Sequence, residues 1–103
     1  MRLENYSEEK LKKELLNIIK KHIDLEKYDV FFFGSRVGGK GDERSDIDVG
    51  ISGSESLPLD VISEIKEEVE KIPILYKIDV VDFTSAEEKF VKIAEKNIEI
   101  INK

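Results

Sequence analysis

Apolar residues recur along the chain with two distinct spacings, one typical of helices and one typical of strands. Helical spacing runs over residues 7–22, where Ser7 is placed to cap the helix and two glutamates occupy the first turn. The same spacing returns over residues 58–71 and again from residue 85 to the C-terminus. The pattern therefore predicts three helices, and the last of them includes Ile98 and Ile101.

Three shorter segments have the composition of β-strands. Residues 28–33 form the bulky run YDVFFF, which stops at Gly34, and polar and apolar residues alternate over 46–52. Residues 76–83, YKIDVVDF, form the third segment. With a short helix after Gly34, the order is α-β-(short α)-β-α-β-α. It predicts one α+β domain, residues 1–103, with a small mixed sheet of about three strands and helices packed on it.

Composition and charge exclude several classes of protein. The chain has 103 residues, no cysteine, 40% hydrophobic residues and a formal net charge of −6. Without cysteine there are no disulfides, thiolate metal sites or cysteine nucleophiles. The polar N-terminus and the lack of a long apolar run predict neither a signal peptide nor a membrane span, so we expect a cytoplasmic protein. The acidic balance argues against nonspecific nucleic-acid binding, which needs a basic face.

One constellation of residues carries the candidate chemistry. Gly34 and Ser35 follow a predicted strand, and Asp46 and Asp48 begin the next one. Carboxylates at positions i and i+2 of a strand project from the same face, about 6–7 Å apart. Such a pair repels itself when bare but suits Mg²⁺, which prefers a few carboxylates plus substrate phosphate. The Gly-Ser turn can bring backbone N–H groups close to a phosphate.

A third carboxylate should come from the neighbouring strand at residues 76–83. Asp79 and Asp82 are the candidates, and their spacing directs them to opposite faces. We favour Asp79 because Asp82 lies near the end of the strand, where solvation or helix capping explains it. The catalytic and metal-binding residues are thus predicted to be Asp46, Asp48 and Asp79.

Less specific interpretations also exist for these residues. An Asp-x-Asp at a strand edge is often simply solvated, and the Gly-rich stretch is compatible with a plain loop. Residues 34–40 fit a phosphate-binding loop, but Gly41 stands where that motif needs Ser or Thr. The segment does not fit an EF-hand either, because no Glu follows at the position that an EF-hand loop requires.

The remaining polar candidates are less specific. His22 is more typical of a helix cap than of a base. Arg36, Lys40 and Arg44 suit either triphosphate binding or solubility.

The motif Gly34-Ser35 followed, after ten intervening residues, by Asp46-Ile47-Asp48 resembles the signature of the DNA polymerase β-like nucleotidyltransferase superfamily. Together with the short chain and the segments RSDIDVG and YKIDVVDF, it is similar to the minimal nucleotidyltransferase branch. The resemblance implies a catalytic palm, two Mg²⁺ ions held by the three aspartates, and ATP as substrate. It also implies that Gly34, Ser35 and Arg36 bind the β- and γ-phosphates.

The resemblance also implies a partner. Larger members of the superfamily have extra domains that bind the acceptor, whereas members of the minimal branch resemble antitoxins. There AMP is transferred to a tyrosine of a helical HEPN-type toxin, which is the function we expect. Two alternatives stay open: transfer to a small molecule bound by a separate helical subunit, and a binding antitoxin without catalysis.

Overall fold

A computed structural model describes residues 6–33, 46–74, 76–84 and 98–103, and the structural statements below concern these ranges. They contain two helices and four strands. In chain order the elements are α1 (Glu8–Ile19), β1 (Tyr28–Phe33), β2 (Ile47–Gly53), α2 (Leu59–Val69), β3 (Ile78–Asp82) and β4 (Ile98–Ile100).

The four strands form one mixed sheet in the order β3-β2-β1-β4. β1 is antiparallel to both β2 and β4, whereas β2 and β3 are parallel because α2 connects them. The predicted α+β architecture is confirmed, with one strand more than expected within the described ranges.

Both helices pack on the same face of the sheet. Ser7 caps α1 as predicted, since its Oγ accepts a hydrogen bond of 3.3 Å from the backbone N–H of Lys10. Alternate residues of the strands point toward the helices and are fully or almost fully buried. The centre of this core comprises Leu11, Leu15, Ile19, Val30, Phe32, Ile47, Val49, Ile51, Ile65 and Val69.

Polar contacts join α1 to α2 at one end of this core. His22 follows α1, and its Nε2 forms a short hydrogen bond with Glu68 of α2. Lys21 Nζ donates to the same carboxylate at 2.6 Å, and His22 Nδ1 lies 3.4 Å from Glu64. These contacts explain His22 as a structural residue at a helix end.

The prediction of a last helix reaching the C-terminus is wrong at its end. Residues 85–97 lie outside the described residues, but Ile98–Ile100 form the strand β4. Ile98 and Ile100 pair with Phe33 and Phe31 of β1. β-branched side chains at i and i+2 suit a strand on the open edge of β1, and this pairing outweighs the helical spacing of the preceding apolar residues.

Hydrogen bonds of the Asn102 side chain connect the C-terminal segment to the start of β1. Its Nδ2 donates to the carbonyls of Leu25 and Tyr28, at 3.0 and 2.8 Å, and its Oδ1 accepts from the Val30 N–H at 3.0 Å. One side chain thereby satisfies three backbone groups. Among the described residues no helix is long and apolar enough to cross a membrane.

Candidate active site

Two carboxylates lie side by side on the face of the sheet opposite the helices. Asp48 in β2 is in direct register with Asp79 in β3. Their chain neighbours Ile47 and Val49 point into the core, so period-two alternation directs Asp46 and Asp48 to the other face. Asp46 immediately precedes β2 and is exposed. The three predicted aspartates are therefore grouped on one face, at one end of a parallel strand pair.

The electrostatics of the group reflect this crowding of negative charge. The pKa of Asp48 is raised above its ordinary value, mainly by burial and further by repulsion from Asp79 and Asp46. Asp79 is more open, with 40% of its side chain exposed. A site with these properties favours the arrival of a cation, which would offset the repulsion.

One cation of this chain already lies beside the group. Lys77 precedes β3 and is in the position opposite Asp46, since the next pair in the register is Ile47 with Ile78. Its Nζ lies 3.6 Å from Asp79 Oδ1, and 72% of its side chain is exposed. Lys77 was not among the predicted site residues. Its spacing of two residues from Asp79 in a strand does indicate that the two side chains share a face.

Asp82 is placed differently. It pairs with Ile51, whose side chain points into the core. Asp82 lies three residues after Asp79, so its side chain is directed to the opposite face of the sheet. Its Oδ1 accepts hydrogen bonds from the backbone N–H and the hydroxyl of Thr84, at 2.8 and 2.5 Å. This carboxylate is therefore engaged in a local turn and does not join the group.

Aromatic side chains adjoin the carboxylates on the same face. Phe33, the last residue of β1, pairs with Asp48 and makes an edge-to-face contact with Phe83 at 5.0 Å between centroids. Phe31 and Phe83 meet above Gly50, with centroids 5.3 Å apart. A Cβ at Gly50 would lie 2.4 Å from Phe31 and 2.7 Å from Phe83, so this close approach requires glycine.

The carboxylates of the group supply oxygen donors of the kind that Mg²⁺ prefers. Across the four described ranges no group of three or more His, Cys, Asp or Glu side chains forms a metal-binding cluster. Asp48 and Asp79, with Asp46 nearby, are instead an open pair of oxygen donors. Mg²⁺ is usually held by one or two carboxylates together with water and substrate phosphates. The residues present therefore fit Mg²⁺ bound together with a nucleotide.

The remaining predicted site residues lie outside the described ranges. These are the candidates for phosphate binding: Gly34, Ser35, Arg36, Lys40 and Arg44. The described residues that flank this segment are Phe33, at the end of β1 and opposite Asp48, and Asp46, just before β2.

A pocket of about 220 Å³ lies behind β3, on the helix side of the sheet. Its walls come from the C-terminal half of α2, the turn that follows, and the first half of β3. Val69 and Ile72 contribute apolar surface, and Lys66, Glu70 and Lys77 contribute charge. Asp79 also lines it, so the pocket and the carboxylate group meet at the same strand.

Comparison with known proteins gives a consistent result. The family model described as "Polymerase beta, Nucleotidyltransferase" matches residues 13–103. A curated relative from Haemophilus influenzae, "Probable protein adenylyltransferase MntA", is 32% identical over 88 residues. That match covers 84% of this chain and 77% of the relative.

Solved structures share the fold. A crystal structure of a toxin–antitoxin with AMP-PNP matches with a TM-score of 0.70 and 18% identity, over 87% of this chain and 71% of that one. A second match comes from a structure of the tri-AMPylated HEPN toxin of Shewanella oneidensis in complex with MNT antitoxin. Its TM-score is 0.70 and the identity is 15%. This second match covers 92% of this chain and 71% of the other.

Proposed function

The chain belongs to the polymerase beta nucleotidyltransferase family, and from this premise we propose that it transfers AMP from ATP to a tyrosine hydroxyl of a partner protein. The relative from Haemophilus influenzae carries the name of a protein adenylyltransferase, which supports a protein acceptor. The acceptor we propose is a helical HEPN-type toxin, by analogy with the Shewanella oneidensis complex.

One observation carries the proposal, namely the register that places Asp48 beside Asp79. Adjacent parallel strands hold the two carboxylates at the spacing of the sheet, about 4.8 Å between backbones. With Asp46 two residues before Asp48, the group presents oxygen donors that suit hard divalent cations. In this proposal Asp46, Asp48 and Asp79 hold a pair of Mg²⁺ ions.

The metal ions would supply charge neutralisation for the phosphates and lower the pKa of the acceptor hydroxyl. Gly34 and Ser35 would hold the β- and γ-phosphates, with Arg36, Lys40 and Arg44 as further cationic contacts. In the chain these residues follow Phe33, which pairs with Asp48, so in this proposal the phosphates would lie at the β1 end of the group.

The reaction then needs little covalent chemistry from the protein. The acceptor oxygen forms a bond to the α-phosphorus as the bond from that phosphorus to the bridging oxygen of the β-phosphate breaks. Pyrophosphate leaves with the electron pair of that bond. The hydroxyl proton passes to the Asp79 carboxylate and then to solvent.

The test is a transfer assay with the purified chain, α-labelled ATP, Mg²⁺ and the protein encoded by the neighbouring gene, which we expect to be of the HEPN type. We expect label on a tyrosine of that protein, and its loss when EDTA is added. Asp48→Asn and Asp79→Asn should each lower the rate at least about 100-fold, because each removes a metal ligand. Asp82→Asn is the matched control on the same strand and should keep the rate.

Other outcomes would identify the alternative functions. A complex that forms without label, and equally with Asp46→Asn, would make the chain a binding antitoxin and overturn the catalytic proposal. Label on a small hydroxyl compound, with none on the protein, would replace the acceptor and leave the reaction type intact. Equal transfer by Asp79→Asn and Asp82→Asn would remove Asp79 from the site.

A further inference from the structure

The outer edge of β3 has the backbone arrangement of a docking strand. In the residues described, β3 is at one end of the sheet order, with β2 as its neighbour. Lys77 O accepts from Ile47 N–H at 2.9 Å and Phe83 N–H donates to Ile51 O at 2.8 Å. In a parallel ladder alternate residues bond to the same neighbour, so Ile78, Val80 and Asp82 direct their N–H and C=O groups outward.

The two faces of this edge offer different surroundings. The pocket behind β3 lies on the helix side, where Ile78 and Val80 point. Alternation along the strand directs the side chains of Asp79 and the exposed Lys77 to the other side, although both residues also border the pocket at the strand edge. A strand added to this edge would place alternate side chains on these two faces. A residue opposite Asp79 would face the carboxylates, and its neighbour in the chain would face the pocket.

Reaction geometry selects the direction from which an acceptor approaches. In an in-line displacement the attacking and leaving oxygens lie on opposite sides of the phosphorus. If the pyrophosphate is held at the end of β1, the acceptor approaches from β3, on the opposite side of β2. Two strand spacings, about 10 Å, separate β3 from β1. This step rests on the function proposed above.

We infer that the acceptor protein docks as an extended segment along the outer edge of β3, with its tyrosine over Asp79 and an adjacent side chain in the pocket. Lys77 is a positioning residue in this arrangement. Its ammonium group suits a phenol oxygen that gains negative charge as it attacks, and it lies 3.6 Å from the carboxylate beneath that oxygen.

Amide exchange measured by NMR tests the docking directly. In the free protein we expect slow exchange at Asp79 and Val81, whose N–H groups face β2, and fast exchange at Ile78, Val80 and Asp82. Adding the HEPN-type neighbour protein with a non-hydrolysable ATP analogue should slow the last three by about tenfold or more. Label transfer by the wild type without any slowing there would overturn the docking and leave the proposed function standing.

Two further outcomes separate the possibilities. Slowing at Ile78, Val80 and Asp82 without any label transfer would support the docking while the proposed function fails. Slowing that appears when the chain alone is concentrated, and does not change with the acceptor, would assign the edge to self-pairing and overturn the inference.

A substitution that removes the charge of Lys77 gives an independent test. Lys77→Met should raise the KM for the acceptor about tenfold while the Kd for ATP changes less than about twofold. Lys71→Met is the matched control, because Lys71 is exposed on the turn after α2 and does not line the pocket. Because Lys77 is 72% exposed, the variant should fold normally. An unchanged acceptor KM would contradict the positioning role.

Discussion

Phe33 lies directly opposite Asp48 in the pairing of β1 with β2, so the central carboxylate has an aromatic neighbour on one side and Asp79 on the other. Burial and repulsion both raise its pKa. In its ionised form this carboxylate therefore opposes folding of the metal-free protein.

Asp48→Asn should stabilise the metal-free protein. A carboxyl whose pKa is higher in the folded than in the unfolded chain costs stability when ionised, and this cost disappears as pH falls through the folded pKa. At neutral pH we therefore expect the melting temperature of Asp48→Asn to be higher than that of the wild type. The gain should shrink on acidification. Calorimetry in EDTA at several pH values measures the change in melting temperature and its dependence on pH.

The control for this measurement is Asp82→Asn, which should not stabilise the protein, because that carboxylate accepts two hydrogen bonds from Thr84. A metal-free Asp48→Asn protein that melts lower than wild type would mean that Asp48 is structural.

Glu68 should make the joint between α1 and α2 sensitive to acid. Hydrogen bonds from His22 and Lys21 lower its pKa from 4.5 to about 2. The ionised Glu68 carboxylate therefore contributes to the stability of the folded protein at pH values above its unfolded pKa. This contribution is lost as pH falls from about 4.5 to about 2. In Glu68→Gln the urea midpoint should depend less on pH in this window. Glu67→Gln, an exposed neighbour, should keep the wild-type profile.

Gly50→Ala should destabilise the fold. The new methyl group would lie 2.4 Å from Phe31 and 2.7 Å from Phe83, and both rings are buried. Overpacking of this kind costs about 1–3 kcal/mol, measurable by chemical denaturation. Ser52→Ala, two residues along β2 on the same face, should change stability by less than about 0.5 kcal/mol. Equal effects of the two substitutions would contradict the steric account.

Removing the Asn102 side chain should loosen the C-terminal strand. Asn102→Ala leaves two carbonyls and one N–H without their partners, and we expect a loss of about 1–3 kcal/mol. Lys103→Ala breaks only an exposed ion pair with Asp29 and should cost at most about 1 kcal/mol. Thermal melts of both variants compare them, and similar losses would show that Asn102 is not the fastening residue.

Local patterns were sufficient for most of the fold, because each element is specified by its own spacing. The run YDVFFF became β1 over the predicted residues, and the segments around Asp48 and Asp79 became β2 and β3. β4 was missed because three residues cannot form a strand alone. Only the long-range pairing of Ile98 and Ile100 with β1 makes it one, and helical spacing upstream concealed the alternation.

The grouping of Asp46 with Asp48 follows from period two within one strand, and sequence was enough to expect it. The register between Asp48 and Asp79 depends on how α2, which connects β2 to β3 in the chain, packs against the face of the sheet. Strand position alone favoured Asp79 over Asp82, and Lys77 was overlooked because its role arises only from the neighbouring strand.

The charges on β3 have a consequence for solubility. An exposed strand edge attracts copies of the same chain, and proteins resist this with charged side chains on that edge. Lys77, Asp79 and Asp82 place three charges on or next to the five-residue strand. Asp79→Asn would therefore remove part of this protection along with activity, so this variant should aggregate at lower concentrations than Asp48→Asn, which keeps the charges of β3.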